Sequence, residues 1–422
     1  MPIGKHFVVY KHNFVVKNNK LITRQFIVLK HEDGTLQFTD FHKYVKSPTN
    51  RVKRYESDGN NRFTFVVQLL NYAFFYVGIK QLDDITAEII EDFLNAYGMC
   101  DLPTDNDNTH RQKSTVERCV SVIMDFMEVY ITERKGKCHI KKDDLYVYKN
   151  KRDHHHKVIK VKVPRFDVVY ISNPTPIFRD IPNKAFDMLF HHIATNHQDI
   201  LGLVMLSAFG GLRPSEACNV RRADSPLGAG MLFDVIDGEL ARVEIDISEE
   251  LNIRSDLHSV GNIKKERRQQ IPDIFLGAFR DSYNIYVNHI KNKKYEKDYG
   301  AFTVNKQGKA MTCDSYRKKF QTIIRDEMIP IYLASDDPEM VIYGRILMEH
   351  KLSPHVFRHW FTVQLVLSGI DNPGELMYWR GDTSPESALT YLQNKGDLEK
   401  QYRRVNNEVF DYLLWASKKN ND

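Results

Sequence analysis

Ser353-Pro354-His355-Val356-Phe357-Arg358-His359-Trp360 is the stretch on which the reading of this chain turns. A His-x-x-Arg pair sets two polar side chains on one side of a helix in any protein, so alone it says little. Its company says more. Upstream stands Gly211-Leu212-Arg213-Pro214-Ser215-Glu216-Ala217, followed by a basic stretch, Gly261-Asn262-Ile263-Lys264-Lys265-Glu266-Arg267-Arg268-Gln269-Gln270, that ends in Ile271-Pro272. Downstream comes Ala388-Leu389-Thr390-Tyr391-Leu392. Two arginines, a lysine, a histidine and a late tyrosine thus succeed one another in order.

The surrounding pattern is mostly helical. Lys184 to Thr195, Gln198 to Phe209, Tyr283 to Asn292, Cys313 to Asp326 and Pro354 to Ser368 read as helices, with two shorter ones at Pro373 to Met377 and Pro385 to Gln393. Residues 231–247 and 256–272 read as strands. A last amphipathic segment, Val405 to Ala416, puts Val405, Val409, Tyr412, Leu413 and Ala416 on one side. Toward the N-terminus, residues 6–40 alternate apolar and polar side chains between turn-like Lys17-Asn18-Asn19 and Glu32-Asp33-Gly34, as a short β-meander does. Phe63 to Tyr76 is helical, Thr86 caps a second helix, and a third runs from Ser114 to Thr132. The fold class expected is mainly α with small β-sheets (α+β). At 422 residues the chain exceeds one ordinary core. The divisions expected are a β-rich segment over 1–50, a helical domain over 51–133, a basic linker over 134–181, a larger domain over 182–400 and a terminal helix or tail over 401–422.

Composition places the chain among soluble globular proteins, and its net charge of +5 does not by itself call for a nucleic acid. The distribution is more telling. Lys135, Lys141, Lys142, Lys149, Lys151, Arg152, Lys160 and Lys162 crowd the segment between Arg134 and Arg165, against Asp143, Asp144 and Asp153. This segment is either a solvated linker or a basic strap that neutralises phosphates. His154-His155-His156 lies within it, but three adjacent histidines cannot all face one ion, so no metal is expected. The five cysteines, without a C-x-x-C pair, read as free thiols of a reducing compartment. No stretch approaches a membrane span and the N-terminus lacks a signal-peptide pattern; the expected location is cytoplasmic.

The ordered residues suit one chemistry. Attack on a phosphodiester concentrates negative charge on its non-bridging oxygens, and fixed cations must wait there. Arginine binds two phosphate oxygens at once and stays charged, which points to Arg213 and Arg358. The plainer reading of Arg213 is a surface helix arginine paired with Glu216 three residues on. A covalent phosphoester needs an oxygen nucleophile that can also leave, and a phenolate leaves better than a serine alkoxide. Among 21 tyrosines, Tyr391 is singled out by its place after the His-x-x-Arg.

Over 182–400 the chain resembles the tyrosine recombinases, the phage-integrase family of site-specific DNA recombinases. The resemblance rests on Gly211 to Glu216, the basic hairpin, His355 to His359, and Gly381-Asp382-Thr383-Ser384-Pro385-Glu386-Ser387-Ala388-Leu389-Thr390-Tyr391. Residues 51–133 are similar to the family's core-binding domain in size and position. The resemblance implies that Arg213 and Arg358 clamp a scissile phosphate, that His355 assists proton transfer, and that Tyr391 attacks to give a 3′-phosphotyrosyl link. It implies a hairpin lysine that protonates the leaving 5′-hydroxyl: Lys264 first, Lys265 second. Glu216 would orient an arginine, and His359 would support the helix. It implies double-stranded DNA as partner, self-association into a tetramer on paired sites, service to a mobile element, and no cofactor. A DNA-binding regulator without efficient cleavage and a type IB topoisomerase are the alternatives.

Asp382 departs from the pattern. Nine residues before Tyr391 the family carries histidine or tryptophan, which donates a hydrogen bond to the phosphate; an ionised aspartate has no donor and repels it. Three explanations stand open. Asp382 is tolerated in a slower enzyme, or it is turned away with Arg380 or Trp379 in its space, or the protein binds DNA without cutting it well.

Overall fold

Alternating side chains over the first forty residues build three strands, β1 (His6–Val15), β2 (Leu21–Lys30) and β3 (Leu36–Phe38), in the order β1-β2-β3. β2 and β3 pair antiparallel, Val28 opposite Phe38 and Lys30 opposite Leu36. This computed structural model describes residues 4–48, 62–105, 111–152, 158–171, 181–291, 293 and 295–382. Two units divide it: Met1–Phe14 with Ile22–Thr175, and Val15–Leu21 with Pro176–Asp422.

In the first unit, α1 (Arg62–Asn71) runs through a π turn, Tyr72–Val77, to Gly78 at φ 89°. α2 (Ala87–Met99) starts where Thr86 Oγ1 accepts the Ile89 N–H at 3.4 Å, the cap its sequence signals. α3 (Lys113–Arg134) completes the helical core, in which Phe65, Leu69, Phe93, Ile123 and Phe126 are buried with Phe7 and Ile27 of the sheet. The basic segment is not a bare linker. A helical turn, α4 (Lys142–Leu145), leads into β4 (Tyr146–Arg152) and β5 (Val158–Pro164), which pair from Tyr146↔Pro164 to Arg152↔Val158. Leu145 is fully buried in the core of this unit and anchors the hairpin.

The second unit is built round a helix without a polar face. α5 (Asn183–Asn196) turns at His197 into α6 (Gln198–Ala208), whose residues from Ile200 to Ala208 are all buried. A helix apolar on every side has to be enclosed, and here α8 (Asp273–Ile290) and α12 (His355–Leu367) enclose it. Gly202 permits the close approach: a Cβ there would lie 2.9 Å from the Tyr286 ring. Between them come the short α7 (Pro214–Ala217) and a sheet of order β6-β7-β8, formed by β6 (Met231–Ile236), β7 (Glu239–Ile247) and β8 (Arg267–Gln270). Residues 231–247, expected as one strand region, fold as a hairpin whose turn, Asp237-Gly238, takes positive φ at both positions (52° and 83°). Of the strand expected over 256–272, only β8 forms. α9 (Cys313–Ile323), a π turn at Ile324–Met328, α10 (Ile329–Leu333), α11 (Pro338–Glu349) and α13 (Pro373–Arg380) complete the unit. The architecture is mainly α with small antiparallel sheets, as its pattern suggests. The helices expected at Pro385 to Gln393 and Val405 to Ala416 lie outside the described residues. Among the described residues, no helix is long and apolar enough to cross a membrane.

Candidate active site

Two glycine turns deliver the charged groups. After α6 the chain reverses at Gly211, φ 64°, where a Cβ would meet the Phe361 ring at 2.4 Å. Only glycine satisfies both the left-handed backbone and that contact. Pro214 then opens α7 and fixes Arg213 just before it. The second turn ends α13. Gly381 at φ 59° donates to the Tyr378 carbonyl and Asp382 donates to the Met377 carbonyl, both at 3.0 Å, the paired bonds of a Schellman stop. This stop folds Asp382 back against α12 instead of letting it run into solvent.

Asp382 is therefore turned inward, and the explanation that has it turned away is corrected. Its Oδ1 accepts from Arg213 Nη2 at 2.5 Å and from Arg358 Nη2 at 2.7 Å, while Oδ2 accepts from Arg380 Nε at 2.6 Å. Arg380 Nη1 also donates to Thr362 Oγ1 at 2.6 Å, and Arg358 donates through Nη1 to the Gly211 carbonyl. Arg358 is 1% exposed and Asp382 7%. Burial pulls the Arg358 guanidinium down to about 9, and Arg213 and Arg380 add to that, while Asp382 and Glu216 oppose it. Burial likewise pushes the Asp382 carboxyl up, but Arg358, Arg380 and Arg213 outweigh it and hold the group below the usual carboxylate range.

A second carboxylate props the first arginine. Glu216, fully buried, accepts from Arg213 Nη1 at 2.8 Å and from Arg267 Nη2 at 3.1 Å. Arg213 does pair with Glu216 three residues on, but it is no surface arginine, since its side chain is 15% exposed and reaches Asp382. Arg267 is fixed in turn by Gln269 Oε1 at 2.8 Å and the Lys265 carbonyl at 2.9 Å. Among the described residues, four guanidiniums thus face two carboxylates, an excess of two positive charges before any lysine is counted.

His355 stands at the first position of α12, its ring 4.9 Å from that of His359 and edge-on to it. Burial first, then His359, Arg358, Arg213 and Arg380, push the His355 imidazole down to about 3. It is neutral at physiological pH and, in this arrangement, a weak base. Of the two candidate lysines, Lys265 reaches the cluster, its Nζ donating to the Asp382 carbonyl at 3.3 Å; Lys264 is exposed.

The structure therefore brings together Arg213, Glu216, Lys265, His355, Arg358, His359 and Asp382. It leaves Lys264 aside, and Tyr391 lies outside the described residues. Sequence reading missed Arg267 as a site residue and gave Arg380 only as a space filler. The signals were Arg267 and Gln269 alternating along β8 just after Lys265, and an arginine two positions before Asp382. The basic segment belongs to the first unit. Lys135, Lys141, Lys142, Lys149, Lys160 and Lys162 are exposed. Lys162 is partly neutralised by Glu128 at 3.0 Å and lies over the Tyr146 ring. Lys151 and Arg152 stand in register with Ile159 and Val158, while His154-His155-His156 lies outside the described residues.

No protein-family model matches the sequence, and no curated protein does. Solved structures match by shape. A Tn1549 transposon integrase in complex with circular intermediate DNA aligns at 15% identity over 80% of this chain and 90% of that one, with a TM-score of 0.47. The XerH site-specific recombinase bound to difH substrate aligns at 14% identity over 79% and 74%, with a TM-score of 0.42. A lambda integrase dimer bound to a COC′ core site aligns at 13% identity over 82% and 90%, with a TM-score of 0.40.

Proposed function

We propose that this protein is a DNA strand-transfer enzyme of the tyrosine-recombinase kind, which cuts and rejoins DNA at defined sites for a mobile element. One observation carries the reading: two buried or nearly buried arginines, Arg213 and Arg358, converge on a single anionic oxygen, Asp382 Oδ1. A site that holds one oxyanion between two forks in this way is organised before a phosphate arrives. Asp382 is then a resident anion at the phosphate's own position. The surplus of arginines over carboxylates lets a phosphate enter without exhausting the positive charge.

In this reading Tyr391 Oη attacks the scissile phosphorus and forms the tyrosyl O–P bond as the bond from phosphorus to the 5′ oxygen breaks. A phosphate's negative charge offsets the arginines that depress His355, so that its imidazole takes the phenolic proton while Lys265 protonates the departing 5′ oxygen. Bond energy is conserved in the phosphotyrosyl link, so a 5′-hydroxyl from a partner strand reverses the step. Exposed lysines on the β4–β5 hairpin supply sequence-independent phosphate contacts, and protomers pair two DNA sites as a tetramer.

A nicked duplex from which the 5′ fragment diffuses away tests this. The wild-type chain is expected to accumulate a covalent protein–DNA adduct, and Tyr391→Phe to form none. Absence of an adduct on the ends of its own element overturns the enzymatic reading. DNA binding without an adduct then supports the second reading, a regulator whose arginine pair stays closed on Asp382. Relaxation of any supercoiled plasmid by a monomer would favour a topoisomerase instead.

A further inference from the structure

We infer that the second unit carries a divalent transition-metal site of the zinc class at His192, His197 and Glu327, apart from the arginine cluster. Spacing alone gives no hint of it, because Glu327 is 130 positions beyond His197. The fold brings the three together. His192 lies one turn before the end of α5, His197 is the corner between α5 and α6, and Glu327 lies in the π turn that follows α9. π turns insert a residue into a helix and frequently accompany functional positions.

The geometry is convergent. His192 Nε2 lies 2.6 Å and His197 Nε2 2.7 Å from the same carboxylate oxygen, Glu327 Oε2. All three ligand atoms fall within 4.8 Å of one another. A carboxylate has two oxygens and could serve two histidines separately; here both imidazoles aim at one point. Two imidazoles with one carboxylate are a donor set that suits zinc and its neighbours. Metal–ligand bonds of about 2.0–2.1 Å in a tetrahedral site set donors roughly 3.3 Å apart. Each ring nitrogen therefore needs to part from the carboxylate oxygen by only about 0.6 Å, within reach of small side-chain rotations. The fourth position remains for water.

An orienting group is also in place. Asn196 Nδ2 lies 3.2 Å from His192 Nδ1. Turning that amide over presents its carbonyl oxygen to an Nδ1–H, the tautomer that Nε2 coordination requires. The three side chains are partly exposed, His192 and His197 at 18% and Glu327 at 35%, so an ion can enter from solvent. An ion there would staple the α5–α6 corner to the end of α9.

Titration of zinc into the untagged full-length chain, followed by calorimetry and thermal melting, tests the site. One tight equivalent per chain and a higher Tm with zinc are expected. His192→Ala, His197→Ala and the isosteric Glu327→Gln should each remove that equivalent and its Tm increment. Asn196→Ala should weaken binding about tenfold. The triple substitution His154→Ala, His155→Ala, His156→Ala should leave it intact. Failure of wild type to bind one equivalent, survival of the equivalent in Glu327→Gln, or its loss in the His154–156 variant would each overturn the proposal.

Discussion

Two buried carboxylates, one in each unit, hold arginines in opposite ways. Asp83 of the first unit accepts from Tyr130 Oη at 2.8 Å, from Arg134 Nε at 2.9 Å and from Cys138 Sγ at 3.5 Å. One cation answers one anion, the remaining partners are neutral, and the Arg134 hydrogen bonds bring the Asp83 carboxyl down to about 2. That arrangement is closed: it locks the end of α3 and leaves no charge to spare. Asp382 of the second unit sits among three arginines, two of them sharing one of its oxygens. An isolated buried pair is weak evidence of anything beyond structure. A buried surplus of one sign costs more than a structural role repays, and it points to a ligand of the other sign.

The sharpest way to break this contrast is to remove one arginine from each cluster. Arg358→Ala is expected to lower adduct formation on the nicked duplex by about 10³-fold, whereas Arg134→Ala should leave the adduct rate unchanged and lower Tm. Equal losses of activity would mean that both clusters are structural. Next in size, Lys265→Ala should slow cleavage about 10²-fold while Lys264→Ala changes little. A leaving group that needs no proton at the 5′ position should restore the Lys265→Ala rate. The reverse ranking of the two lysines would return the acid to the exposed position.

Substituting the resident anion gives a smaller effect of opposite sign. Asp382→His should raise the adduct rate about tenfold, by supplying a donor and removing a competitor for the arginines. Asp382→Asn should steepen the slope of log K against log salt for DNA by about 0.9, one more counterion released. A slower Asp382→His enzyme would make Asp382 an organiser of the arginines instead of their competitor.

Acid titration separates the clusters most gently. His355 is held near 3 in the fold against about 6.5 unfolded. The unfolded chain therefore binds the extra proton between those values, and stability falls as pH drops below about 6.5. Asp83, Glu216 and Asp382 are depressed carboxylates. Their contribution is present above about 4 and lost only as pH falls through the lower folded values. In thermal unfolding against pH, His355→Gln should flatten the limb between pH 6.5 and 4, and Asp83→Asn only the limb below 4.

Much of the second unit was legible because its signals are local. Gly210-Gly211, Pro214 and Gly381 each mark a backbone turn in the sequence, and the His-x-x-Arg needs only one helix to align it. Thr86 announced its helix for the same reason. What stayed hidden depended on pairing at a distance. The two adjacent lysines lie in the bend before β8, and only the folded path of that bend decides that Lys265 donates to the Asp382 carbonyl while Lys264 is exposed. The hairpin at 146–164 was obscured because the lysines that alternate with Ile159, Val161 and Val163 belong to a dense run of charge, which reads equally well as a linker. Asp382 was read as a repulsive misfit because the third arginine, Arg380, enters only once the end of α13 folds back.

Gly381 places a constraint on how this protein can change over time. A side chain there would strike the Arg267 guanidinium at 2.2 Å, so Arg267 must swing aside or shrink if position 381 acquires one, and the left-handed φ of 59° strains it in either case. Loss of Arg267 first, however, leaves Glu216 buried with half of its counter-charge. Each substitution alone therefore carries a cost, one in displacing Arg267 from Glu216 and the other in removing it. Positions 267 and 381, far apart in the chain, are therefore coupled through Glu216.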